Sequence, residues 1–332
     1  MINDALKNFY RDKEVLITGG LGFIGSTLAF DLVACGAKVT LIDSLVQDCG
    51  GNPFNIHGIE DKVKVNISDV RDKHSINNLV QGKSHIFNLA GTLSHVDSMS
   101  DPFTDLEINC VAQLSILEAC RKINPGVKLV FAGTRGQYGR PQYLPVDEKH
   151  PLSPTDINGI NNNAGEGYHI LYNNVYGIKA TSLRLTNTYG PRHQMRHSRQ
   201  GIINWFIRQI MDGEELAIYG DGKQIRDTNY VTDVVEALLL AMMNDKTNGE
   251  VYNLGGTPIA LVDLIKMMIQ VYGKGQYKLL PFPPEYKKIE VGDYIADYSK
   301  FTQATGWKPQ TSMEIGLRLT MDYYEQNKKH YW

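Results

Sequence analysis

The sequence predicts an α/β protein: a doubly wound parallel sheet followed by a smaller α/β domain. Three observations carry that reading. Between residues 14 and 185, short β-rich runs alternate with stretches of helical period, the order that builds a parallel sheet with helices on both faces. Apolar runs such as Glu14-Val-Leu-Ile-Thr18 are continuous, as suits strands buried on both sides. The chain has 332 residues of ordinary globular composition, enough for a large core without crosslinks.

The β-rich runs are 15–18, 38–43, 63–66, 85–90, 128–132 and 180–185, and helical spacing covers 23–35 and 106–120. After Tyr189 the order becomes irregular, with turn signals at Gly190-Pro191 and Tyr219-Gly-Asp-Gly222. This divides the chain into a nucleotide-binding domain over 1–190 and a mainly substrate-covering domain over 191–332. A later segment near 226–256, including a helix over 232–243, is able to pack back on the first sheet.

Net charge is −2, which offers no basic surface for nucleic acid or acidic lipid. Cys35, Cys49, Cys110 and Cys120 match neither a zinc spacing nor a C-x-x-C pair, so no metal and a reduced, cytoplasmic setting are expected. Residues 1–13 lack the apolar core of a signal peptide. The longest apolar stretch, 234–243, is interrupted by Glu236 and is too short to span a bilayer.

The first strand leads into Gly19-Gly20-Leu21-Gly22-Phe23-Ile24-Gly25 and then a helix. Glycines here permit the tight turn, let backbone approach a pyrophosphate, and let helix and strand pack closely. The helix start then turns free N–H groups toward phosphate. Asp43 ends the next strand, roughly the ~20 residues further on that ribose recognition needs. Its carboxylate accepts from both ribose hydroxyls and repels a 2′-phosphate, and Ser44-Leu45-Val46-Gln47 supplies no cation. NAD is therefore the expected cofactor, on a Rossmann-type fold.

Taken in order, further segments resemble the extended short-chain dehydrogenase/reductase family, specifically its nucleotide-sugar epimerases and dehydratases, in the manner of UDP-glucose 4-epimerase. Thr18-Gly-Gly-Leu-Gly-Phe-Ile-Gly25 is similar to the family's opening, Asp69-Val70 to its adenine-contacting pair, and Asn88-Leu-Ala-Gly91 to the strand end beside the cofactor. Asp101-Pro102, Asn109, Phe131-Ala-Gly-Thr134 with Tyr138-Gly139, and Arg184-Leu-Thr-Asn187-Thr-Tyr-Gly-Pro191 follow in order. So do Tyr219-Gly-Asp-Gly, Arg226-Asp227, and Gly306-Trp-Lys-Pro309 with Glu314 and Gly316-Leu317.

The resemblance implies cofactor contacts from Gly19, Gly22, Phe23, Ile24, Gly25, Asp43, Asp69, Val70, Leu89, Ala90, Gly91, Asn109 and Thr186. It implies contacts to a nucleotide-diphosphate sugar from Asn187, Gln200, Tyr219, Arg226 and Asp293. It also implies a homodimer that pairs the helices near 105–121 and 158–176. The implied chemistry is oxidation of a sugar carbon by hydride transfer to NAD, with the hydroxyl proton taken by a Tyr from a Y-x-x-x-K helix. A free phenol has a pKa of about 10, which a neighbouring ammonium lowers.

This chain departs from that pattern. Anchored on Ala164-Gly165-Glu166, the Tyr position falls on Asn158 and the Lys position on Asn162. An amide orients a hydroxyl but cannot take its proton. Tyr219 with Lys223 sits in a glycine turn, and Tyr324 with Lys328 in the polar tail. Tyr168 and Tyr172 lie about 15 and 21 Å along the helix from Asn158, too far for the same atom. Thr134 is kept as the hydroxyl that orients the reacting group. His95 is either a base near neutral pH or a solvated loop histidine. Tyr138 is either a packing aromatic or a repositioned acid.

Near the C-terminus, Glu290 stands where many members have an Arg, with Lys287 and Lys288 as possible compensation. Thr134-Arg135-Gly136-Gln137 lacks the carboxylate that dehydratases and decarboxylases use after the Thr, which disfavours both reactions. The expected function is a 4-epimerase or 4-dehydrogenase of a nucleotide sugar. The alternative is a catalytically silent sensor of NAD and nucleotide sugar, or an inactivated variant.

Overall fold

The computed structural model describes residues 3–282 and 291–332; the expectations for Lys287, Lys288 and Glu290 lie outside them. In chain order the strands are β1 (Glu14–Thr18), β2 (Lys38–Asp43), β3 (Val63–Ile67), β4 (His85–Asn88), β5 (Lys128–Thr134) and β6 (Ala180–Leu185), then β7 (Asn187–Tyr189), β8 (Glu215–Tyr219), β9 (Ile225–Tyr230), β10 (Val251–Asn253), β11 (Thr257–Ala260) and β12 (Gln276–Leu280). The helices are α1 (Asp4–Tyr10), α2 (Phe23–Ala34), α3 (Lys73–Leu79), α4 (His95–Ser100), α5 (Pro102–Leu106) and α6 (Ala112–Ile123), then α7 (Ile157–Tyr176), α8 (Ile202–Asp212), α9 (Val231–Met243), α10 (Leu261–Tyr272), α11 (Ser299–Thr305) and α12 (Met313–Asn327).

The central sheet runs β10-β6-β5-β4-β1-β2-β3, with every neighbouring pair parallel. Chain order reverses between β1 and β4, so their crossovers leave on opposite sides and open a crevice at the strand ends. One apolar cluster packs α2 and α9 on the sheet through Leu28, Leu32, Val234, Leu238 and Met242. The opposite face is covered by α3, α6 and α7 through Ile76, Ile116, Leu117 and Tyr172. A third cluster joins α8, β8, α10 and α12 into the second lobe.

The structure refines several expected elements. β4 stops at Asn88, short of residue 90, because the Leu89 and Ala90 N–H groups donate to Thr18 Oγ1 at 2.9 Å each instead of to a strand. β5 runs on to Thr134. The helical pattern over 106–120 is interrupted by a π-helical turn at Glu107–Val111 before α6. Helix α9 does return to the first sheet, and β10 extends that sheet beside β6. No helix among the described residues is long and apolar enough to cross a membrane.

Burial makes the fold sensitive to acid. His85, His169 and His193 are each pushed down to about 4, in every case chiefly by burial. Between an unfolded value near 6.5 and the folded value, the unfolded chain binds more protons, so stability falls as pH falls through that window. Asp31 and Asp227, raised to about 6 by burial, act in the opposite sense below pH 6. The histidines outnumber them and begin to act at higher pH. The melting temperature is therefore expected to drop from pH 7 to pH 5 in thermal-unfolding scans; a flat or rising trend would contradict the assignment.

Candidate active site

The phosphate cradle follows from three glycines. Gly19 has φ +66, and a Cβ there would sit 3.2 Å from the Ala90 backbone. A Cβ on Gly25 would fall 2.2 Å from the Gly19 carbonyl oxygen, so only glycine lets α2 settle on the turn. Gly22 caps α2 without any side-chain hydrogen bond, which leaves the first N–H groups for an anion.

Asp43 stands at the end of β2. Its carboxylate accepts the Leu21 and Leu45 N–H groups, each at 3.0 Å. Burial pushes the carboxyl up, and those two N–H bonds offset part of the shift. Beyond β3, Asp69 is held below the usual carboxylate range by Arg71, which bonds it through Nε at 3.0 Å and Nη2 at 2.8 Å. Arg71 also lines the cleft and was not expected from sequence.

At the other end, Thr134 closes β5. Its Oγ1 accepts the Gly136 N–H at 3.1 Å, and Gln137 Oε1 accepts the Thr134 N–H at 2.9 Å, fixing the turn that carries it. Asn158 is buried. Its Nδ2 donates to the Thr92 carbonyl at 2.8 Å and to Asp105 Oδ2 at 3.0 Å. Asn161 donates to Asp105 Oδ1 at 2.8 Å, and Thr92 Oγ1 to Oδ2 at 2.6 Å. Asn162 Nδ2 donates to the Asn158 carbonyl at 2.9 Å and reaches Asn158 Oδ1 at 3.3 Å. The two asparagines therefore belong to a closed network around a buried carboxylate.

His95 opens α4 and places Nδ1 2.6 Å from Asp156 Oδ2. Asp156 also caps α7, accepting the Gly159 N–H at 2.8 Å. An Asp just before a helical run signals an N-cap in any sequence; its pairing with a histidine 61 residues away does not show there.

A single cleft of about 370 Å³ collects most of the expected residues. It is lined by Gly19, Gly22, Phe23, Ile24, Gly25, Asp43, Asp69, Val70, Leu89, Ala90, Gly91, Asn109 and Thr186, by Thr134, Asn158, Asn162 and His95, and by Asn187 and Gln200. Asn109 acts there as a brace, donating to Thr92 Oγ1 at 2.6 Å and accepting the Thr92 N–H at 3.1 Å.

Four expected site residues do not line the cleft. Tyr138 is fully buried; its hydroxyl donates to Asn253 at 2.7 Å and accepts from Arg184 at 2.6 Å. Burial foremost pushes the phenol up to about 12, so it is a packing residue and not a repositioned acid. Arg226 donates to the Gly292 carbonyl at 2.9 Å and Asp293 accepts the Ile225 N–H at 2.8 Å, so both clip β9 to the chain near residue 292. Tyr219 ends β8 and packs toward Phe282. Tyr172, set aside in the sequence as too far from Asn158, is buried and donates to Glu118 at 2.8 Å, as a core residue does.

The parallel sheet and the glycine-lined cleft beside Asp43 define an NAD-binding α/β protein. The chain belongs to the NAD dependent epimerase/dehydratase family, whose pattern it matches over residues 15–255, and the glycine cradle and Asp43 fit NAD. It is 33% identical over 320 residues to a putative UDP-glucose 4-epimerase of Methanocaldococcus jannaschii, covering 95% of this chain and 99% of that one. It is 30% identical over 325 residues to the UDP-N-acetyl-alpha-D-glucosaminuronate decarboxylase of Bacillus cytotoxicus, covering 95% and 98%. Its fold matches the crystal structure of Thermotoga maritima UDP-glucose 4-epimerase with UDP-glucose at a TM-score of 0.85 and 31% identity, covering 95% and 99%. Kinship thus reaches both epimerases and decarboxylases, and does not carry the expected exclusion of decarboxylation.

Asp43 tests the cofactor end. Asp43→Ala is expected to weaken NAD binding by about tenfold or more, the worth of a charged hydrogen bond, and to narrow the preference for NAD over NADP. Calorimetric titration with both nucleotides measures this; unchanged NAD affinity would remove Asp43 from the site.

Proposed function

We propose that this chain oxidises the C4 carbinol of a nucleotide-diphosphate sugar and works as a 4-epimerase, or as a 4-dehydrogenase if the keto sugar is released. The observation that carries the reading is the continuity of the cleft. It runs from Asp43 past the glycine cradle to Thr134, Asn158 and His95, and on to Asn187 and Gln200. NAD, when bound, supplies a reversible hydride acceptor. Thr134 offers a hydroxyl to hold the reacting oxygen. With Nδ2 committed to Thr92 and Asp105, Asn158 has Oδ1 as its side-chain acceptor; it takes a long 3.3 Å bond from Asn162 and has a second lone pair for a ligand donor. Asn187, bonded through Nδ2 to the Asp227 carbonyl at 3.0 Å, likewise keeps its carbonyl oxygen for a ligand donor.

The turn after Thr134 supports epimerisation over dehydration or decarboxylation. Gly136 and Gln137 are buried and Arg135 is cationic, so the turn offers no carboxylate to move protons at C5 or C6. A silent binding protein is the second reading. The feature in its favour is that both positions of the titrating pair are amides in a satisfied network.

The separating experiment mixes purified protein with UDP-glucose and a panel of other UDP-, dTDP- and CDP-sugars, and follows reduced nicotinamide absorbance with product analysis. An isomerised sugar with little lasting NADH is the expected result. Lasting NADH with a keto sugar would identify a dehydrogenase, and loss of carbon dioxide a decarboxylase. No conversion of any sugar, despite NAD binding, would favour the silent binder.

We also propose a homodimer built on α5 to α7. Phe103 is 75% exposed, Val175 60% and Tyr176 52%, with Val111 and Leu171 also exposed. Such an apolar face on neighbouring helices fits a second copy of the chain. Sedimentation is expected to show a dimer that Phe103→Asp with Val175→Arg converts to a monomer; a monomeric wild type would refute it.

A further inference from the structure

We propose that His95, oriented by Asp156, is the catalytic proton acceptor for the reacting sugar hydroxyl, in the role that a phenol fills elsewhere in the family. This rests on the C4 oxidation proposed above and names the group that makes it possible.

Elimination within the cleft leads to this residue. The titratable side chains lining it among the described residues are Asp43, Cys49, Asp69, Arg71, His95 and His193. Asp43 and Asp69 stand at the end of β2 and just beyond β3, away from Thr134 at the end of β5, and Asp69 is paired with Arg71. Burial pushes the Cys49 thiol up, with Asp97 adding to the shift. His193 is buried, bonded through Nδ1 to the Gln194 carbonyl and packed on Phe23, and burial holds it at about 4. His95 alone combines an accessible ring, with 44% of its side chain exposed, and a place beside Thr134. A Cβ built on Gly136 would lie 3.1 Å from His95 Cε1 and 3.5 Å from Thr134 Oγ1, so imidazole and hydroxyl flank one spot.

The partner settles the tautomer. Asp156 is 5% exposed in its side chain and sits 2.6 Å from Nδ1. Burial pushes its carboxyl up, but the His95 hydrogen bond and charge, the Gly159 N–H and the Arg135 charge bring it below its ordinary value. A carboxylate accepts only, so in the neutral ring the proton sits on Nδ1 and Nε2 has its lone pair for a ligand. The logic is that of any carboxylate-oriented imidazole base.

The step balances with the groups present. The sugar O–H bond breaks and its proton moves to Nε2, giving an imidazolium that Asp156 stabilises. The oxygen's electron pair would then form the carbonyl, and NAD held by the glycine turn and Asp43 would supply the acceptor for the C4 hydride. In the reverse direction Nε2 returns the proton to the oxygen as the carbonyl is reduced. Asp156 touches no reacting atom and is a positioning residue.

The test uses NAD-loaded protein and two substitutions. His95→Gln removes the base at a half-exposed position. Asp156→Asn keeps an N-cap residue of equal quality for α7 and removes only the charge. With the panel sugar that wild type oxidises, stopped-flow reduction of NAD is expected to slow about 100-fold or more in His95→Gln, the lower end of general-base catalysis. Asp156→Asn is expected to lower kcat about tenfold or more with KM little changed, since the pair acts on the transition state. Nitrogen-15 NMR of the His95 ring gives a readout independent of turnover: an Nδ1–H tautomer in wild type, lost or mixed in Asp156→Asn.

A working wild type with less than threefold slowing in His95→Gln would overturn the base assignment and leave the C4 reading intact. An Nε2–H tautomer in wild type would overturn the dyad. Failure of wild type to reduce NAD with any sugar would overturn the C4 reading and this proposal together.

Discussion

A buried hydroxyl holds the floor of the cleft. Thr18 Oγ1 donates to Asn88 Oδ1 and accepts the N–H groups of Leu89 and Ala90, all at 2.9 Å. It ties the ends of β1 and β4, the two strands between which the sheet changes direction. Asn88 in turn bonds Gln113 and His169, which anchors the same point to α6 and α7. The glycine cradle follows β1, and the wall of residues 89–92 follows β4. Losing this one hydroxyl would leave two backbone donors, at Leu89 and Ala90, and the buried Asn88 Oδ1 acceptor without this partner, at about 1–3 kcal/mol for a fully buried group, and would free both walls at once.

From that point a polar chain continues outward. Thr92, held by Asn109, donates to Asp105, and Asp105 receives Asn158 and Asn161 from α7. Asp105 is 2% exposed, and these donors supply the hydrogen bonds that a buried carboxyl group needs. A tyrosine at position 158 would withdraw a donor from Asp105 and another from the Thr92 carbonyl, and would bring a ring into a buried amide's volume. Asn158 and Asn162 are thus tied into the packing around Asp105, and placing tyrosine and lysine at these two positions alone would break that arrangement.

The sheet was legible because its strands are buried on both faces, and continuous apolar runs report that directly. Ala180–Leu185 and Lys38–Asp43 coincide with the observed strands. The boundary at β4 was not legible, since it depends on a threonine 70 residues earlier competing for backbone N–H groups. The cofactor end was equally readable, because glycines and an acid at strand ends have few other uses in that order. The substrate end was less so. The order of matched segments says that Tyr138 and Arg226 are near the site, but not where their side chains turn. Tyr138 turns inward to Arg184, which also pairs with Glu166 on α7 and so ties β6 to that helix. Asp156 shows in the sequence as a helix cap and nothing more.

Placing the proton acceptor on α4 changes what the site depends on. A tyrosine and lysine four residues apart on one helix keep their geometry as long as that helix is intact. His95 and Asp156 stand on different elements, so their 2.6 Å contact survives only while α4 stays docked on the start of α7. That docking has its own supports: Ser94 caps α4 by accepting the Asp97 N–H at 3.0 Å, Ser98 Oγ donates to the His95 carbonyl at 2.8 Å, and Asn158 N donates to Ser98 Oγ at 3.3 Å. The same serine thus touches the backbone of His95 and of Asn158. The amide network serves the chemistry by holding α5 and α7 in place around Asp105, which keeps α4 seated, and so sets the angle at which the imidazole meets its carboxylate.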